Sequence, residues 1–69
     1  MKELNEIMKR NLKAARIKAQ FSQVEAAKKL KLSVHTVSNY ENRPVDVPLS
    51  KLGEMCELYG VHVRELLKD

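Results

Sequence analysis

Sixty-nine residues leave room for one domain, residues 1–69, and a modest core, so a second domain is excluded and stability has to come from close packing. Hydrophobic residues make up 43% of the chain, with two glycines, two prolines and no low-complexity tract, which suits a folded globule rather than a disordered tail. The net charge of +4 is uneven: nine basic residues face two acidic ones between Lys9 and Arg43, and such a block implies an anionic partner, nucleic acid ahead of an acidic protein or a membrane surface.

From Leu4, apolar residues recur at Ile7, Met8, Leu12, Ala15 and Ala19, one face of a helix predicted from about Lys2 to Ala19. Ser22-Gln-Val-Glu25 reads as a capping box: the serine hydroxyl accepts from the amide three residues on, and the glutamate reaches back. A second helix therefore starts at Gln23, with Val24, Ala27 and Leu30 as its inner face. Lys31-Leu32-Ser33 breaks the pattern, and Ser33 is a second candidate cap.

A third helix is predicted from Val34 to about Glu41. Val37 and Tyr40 form its inner stripe, which leaves His35, Thr36, Ser38 and Asn39 facing outward. Asn42-Arg-Pro-Val-Asp-Val-Pro48 holds both prolines and reads as an extended connection. A fourth helix should turn Leu49, Leu52, Met55, Cys56 and Tyr59 inward and stop at Gly60, a natural C-terminal cap. Val61, Val63, Leu66 and Leu67 supply a short fifth helix. The expected fold class is all-α, a compact five-helix domain.

Two helices joined by a three-residue turn, the second with a buried stripe opposite a polar and uncharged face, suit reading of the DNA major groove. Base edges there offer donors, acceptors and a thymine methyl, which short polar side chains can meet without the non-selective pull of charge. On this reading Val34, His35, Thr36, Ser38 and Asn39 are the candidate base-reading residues.

In this register, Ser22-Gln23, Ala27, Leu32, Val37, Tyr40 and Glu41 resemble the helix-turn-helix of the phage-repressor family, Cro-like or XRE-type, with the motif at about residues 23–41. The likeness extends back to Arg16 and forward through Leu49, Leu52, Gly60-Val61 and Leu66. It implies a repressor-type DNA-binding domain that regulates transcription, with repression by promoter occupancy as the simplest mechanism. It also implies that Arg16 pairs with Glu41 as a structural ion pair. By the same resemblance Gln23 touches a phosphate and braces the third helix, and Asn42 and Arg43 lie in a backbone-contacting loop. Three positions depart from the family's pattern: Lys31 stands for a common Gly, Ala26 for a common Leu and Gly53 for a larger apolar residue, the last two expected to thin the core.

Double-stranded DNA is thus the expected partner, bound by a homodimer paired through Val45–Pro48 with Val63, Leu66 and Leu67. The alternative is an antitoxin-like module that binds a protein partner through its acidic C-terminal half, with DNA binding secondary. No catalytic residues, metal ligands or cofactor are expected, because Glu41 has no second carboxylate or nucleophile at useful spacing, and His35, His62 and the single Cys56 make no ligand set. One cysteine also builds no disulfide framework, and no apolar stretch approaches the roughly 20 residues of a bilayer span, so a cytoplasmic setting is expected.

Overall fold

The structure, a computed structural model, describes residues 4–69. Four α-helices, α1 (Leu4–Lys18), α2 (Gln23–Leu30), α3 (Val34–Asn42) and α4 (Leu49–Tyr59), are followed by a 3₁₀ segment, Val63–Leu67. The predicted Lys2 and Glu3 of the first helix lie outside the described residues. The expected fifth α-helix is this 3₁₀ segment instead. Five residues are too few to repay the cost of nucleating an α-helix, whereas 3₁₀ geometry is at home in short pieces. Asn11 of α1 holds the segment from outside, its Nδ2 donating to the carbonyls of Leu66 and Lys68 at 2.8 and 2.6 Å.

The predicted caps set the helix starts. Ser22 Oγ accepts from the Glu25 amide at 3.0 Å, and the Ser22 amide donates to Glu25 Oε1 at 2.9 Å. The Ser22 amide, with the serine hydroxyl behind it, holds the Glu25 carboxyl below its ordinary range. Ser33 caps α3 in the same way, accepting from the Thr36 amide at 3.0 Å.

Three of the helices end in one device. After α1, α2 and α4 a single residue turns left-handed, Gln20 (φ 66), Lys31 (φ 57) and Gly60 (φ 72). The amide of the next residue then reaches back to a carbonyl in the last turn: Phe21 to Arg16, Leu32 to Ala27, Val61 to Cys56. Each of those following residues is apolar and packs against the core. Gly60 adopts this conformation without strain, but Gln20 and Lys31 carry a Cβ there.

The core joins Leu12, Ala15, Ala26, Leu30, Leu52, Met55, Cys56, Tyr59 and Leu66. Its inner face on α2 is not the expected one: Ala26, Ala27 and Leu30 are buried, while Val24 is exposed. At about 100° per residue, the line through Ala26, Ala27 and Leu30 is centred on Gln23, and Val24 falls to its side. Leu4 and Leu49, also expected inward, are exposed at the outer ends of α1 and α4. Leu66, expected on a pairing surface, is buried in the core. A Cβ placed on Gly53 would meet nothing within 4 Å, so that glycine thins no packing. Burial first, and the Glu65 carboxylate second, pushes the Cys56 thiol upward, as expected of a thiol used for packing.

Candidate nucleic-acid interface

The helix-turn-helix runs from Gln23 to Asn42, and its geometry is fixed from behind. Val37 of α3 is fully buried and Tyr40 half-buried. Next to Tyr40, the Glu41 carboxylate lies beneath the surface, its side chain 0% exposed, facing an Arg16 side chain that is 8% exposed. Arg16 Nε donates to Glu41 Oε2 at 2.7 Å and Arg16 Nη2 to Oε1 at 3.2 Å, a bidentate fork. Arg16 Nη1 also donates to the Phe21 carbonyl at 2.8 Å. Gln23 Nε2 adds a bond to Glu41 Oε1 at 3.2 Å. Glu41 therefore gathers α1, α2 and α3 at one carboxylate.

Tyr59 lies close to this ion pair. Its hydroxyl is buried with no partner among the described residues. Burial first and the Glu41 carboxylate second push its pKa up to about 12, with Arg16 opposing.

On the opposite side of α3, Val34 and His35 are exposed, and Thr36, Ser38 and Asn39 are half-buried. The Thr36 hydroxyl is shared with Ser33, Oγ to Oγ1 at 2.8 Å, so the cap engages its polar end. Ser38 accepts at its carbonyl from Asn42 Nδ2 at 3.0 Å, with a longer 3.4 Å approach to its hydroxyl. Asn42 thereby turns its amide nitrogen, which carries two hydrogens, back onto Ser38 of α3. Gln23 is half-buried and keeps a second amide hydrogen beyond the one given to Glu41. Arg43, exposed and extended (φ −112, ψ 155), begins the connection to α4.

The basic block is less available than its charge suggests. Lys9 and Arg16 are buried and bonded within the chain, and Arg10 pairs with Asp69 at 3.0 Å. Lys13, Lys18, Lys28, Lys29, Lys31 and Arg43 remain exposed.

Lys9, whose residue type alone marks a solvated side chain, touches this site. Its Nζ donates to the carbonyls of Tyr40 at 2.9 Å and Val45 at 2.6 Å. Burial lowers its pKa, and the Asp46 carboxylate opposes that. The signal was helical period: Lys9 and Arg16 stand seven residues apart, nearly two turns, so they share one side of α1.

A family model described as helix-turn-helix matches residues 12–66. The chain belongs to the XRE-type helix-turn-helix family. This chain is also similar to a crystal structure described as that of the hypothetical transcription factor NHTF from Neisseria. The two share 28% sequence identity and superpose with a TM-score of 0.81, over 93% of this chain and 72% of that one. None of the curated proteins matches this helix-turn-helix chain. Among the described residues, no helix is long and apolar enough to cross a membrane.

Proposed function

We propose that this protein binds double-stranded DNA sequence-specifically and regulates transcription by occupying a promoter, without catalysis of its own. One observation carries the reading: α3 presents Val34, His35, Thr36, Ser38 and Asn39 as a face without a formal charge, while Val37 and the Arg16–Glu41 pair hold the helix from behind. A helix so fixed brings side chains to base edges in the major groove at little cost in ordering. Gln23, Asn42 and Arg43, at the entry of α2 and the exit of α3, serve as phosphate contacts, the first two through side-chain amides and Arg43 through its guanidinium. The likeness to the hypothetical transcription factor NHTF from Neisseria supports the same reading.

One reading helix spans only a few base pairs, so the protein acts as a homodimer on a two-fold site. Val45, Val63 and Leu67 are exposed apolar residues suited to such pairing, and Leu66 is withdrawn into the core. The setting proposed is the cytoplasm. Titration of a mixed-sequence duplex against the protein at rising salt tests DNA binding itself. Each phosphate neutralised should contribute about −0.9 to the slope of log affinity against log salt, and a flat response would remove DNA as the partner.

A further inference from the structure

The segment from Arg43 to Pro48 carries the proposed phosphate contact Arg43 and has no regular structure. Among the described residues, the Arg43 amide bonds to the Asn39 carbonyl, and Val47 packs against the core. The segment's far end is held where the Leu52 amide donates to the Pro48 carbonyl at 2.9 Å, and between the two ends a side-chain bond comes from Lys9. Its ammonium takes the Tyr40 carbonyl, in the last turn of α3, and the Val45 carbonyl, in the connection, at 2.9 and 2.6 Å. A single cation thus clasps the chain on both sides of the Asn42–Arg43 corner. A positive group also suits this place, because the last carbonyls of a helix carry its negative dipole end.

We propose that Lys9 is a positioning residue of the DNA interface, fixing the corner after α3 so that Asn42 and Arg43 meet phosphate while α3 lies in the groove. It touches no DNA itself. The division of labour on α1 follows from its spacing: Arg16 orients the reading helix through Glu41, and Lys9, on the same side nearly two turns earlier, orients the loop. This rests on the DNA-binding reading above.

The test is a double-mutant cycle between Lys9→Met and Arg43→Ala, read as affinity for a duplex of the sequence that wild-type protein selects from a random library. Failure of wild-type protein to bind any duplex overturns the DNA-binding reading and this proposal with it. With wild-type binding in hand, each single variant should lose about tenfold in affinity, the scale of one charged hydrogen bond. In the Lys9→Met background, Arg43→Ala should then cost less than about twofold, since a misplaced arginine has little left to lose. The selected sequence should not change.

If Arg43→Ala costs its full factor with or without Lys9, the loop finds its place unaided and the proposal is overturned. Thermal melts of all four proteins accompany the cycle. Should Lys9→Met not fold, Lys9→Gln, which keeps a donor and no charge, carries the same cycle. Loss of folding in both would also overturn the proposal, because Lys9 would then be needed for the fold rather than for the loop.

Discussion

Arg16 and Glu41 stand 25 residues apart in sequence and meet as a bidentate pair, sealed from water at the point where α1, α2 and α3 converge. Removing one member leaves the other charge buried and unpaired, which costs about 3–5 kcal/mol. Glu41→Ala should therefore take most of the stability of a domain this small, and Gln23→Ala, which removes one bond among several, about 1 kcal/mol. Urea unfolding of Arg16→Ala, Glu41→Ala and the double variant checks this. The double variant should be much less unstable than the two single losses added together.

Backbone conformation gives a set of substitutions with opposite signs. Lys31→Gly and Gln20→Gly relieve a left-handed residue and should each stabilise by about 0.5–1 kcal/mol, while Gly60→Ala should destabilise by about 1 kcal/mol. Gly53, inside α4 with open space around it, behaves the other way: Gly53→Ala should stabilise by about 0.5–1 kcal/mol. Thermal melts of the four variants read these signs directly.

Tyr59 supplies the pH dependence. With the folded-state pKa raised from 10 to about 12, its contribution is complete below pH 10 and is lost as pH rises from 10 through about 12, where the unfolded chain ionises first. Tyr59→Phe should remove this alkaline loss. At pH 7 the same change should be neutral or stabilising by up to about 1 kcal/mol, because the buried hydroxyl has no partner among the described residues to forfeit. Urea melts at pH 7 and pH 11 measure both effects.

Sequence legibility followed the strength of local signals. Ser22, Ser33 and Gly60 announce the boundaries of their helices because capping is a local matter of one side chain and the nearest backbone. The buried face of α2 is not the most apolar one: valine is more apolar than alanine, yet the small Ala26 and Ala27 are buried and Val24 is left outside. Lys9 escaped notice for a related reason: residue type marks a lysine as solvated, although its spacing from Leu12 and Arg16 puts it on the packed side of α1. Gln20 gave no sign of a left-handed turn, being neither Gly nor Asn. On α3 the buried Val37 and the half-buried Tyr40 are readable from their three-residue spacing, whereas the sharing of the Thr36 hydroxyl with that of Ser33 depends on side-chain rotamers that spacing does not set.

Selection of sites from a random duplex library by wild type, Asn39→Ala, His35→Ala and Arg43→Ala shows whether the outward face of α3 reads sequence. Asn39 can pair with adenine through both atoms of its amide, and His35 can donate to a guanine. Each of those two truncations should relax the preference at one base pair by about 1–3 kcal/mol, while Arg43→Ala should weaken binding to all sequences about equally. Retention of the full wild-type preference at every position by both Asn39→Ala and His35→Ala would contradict sequence reading by α3 and move base recognition to another surface.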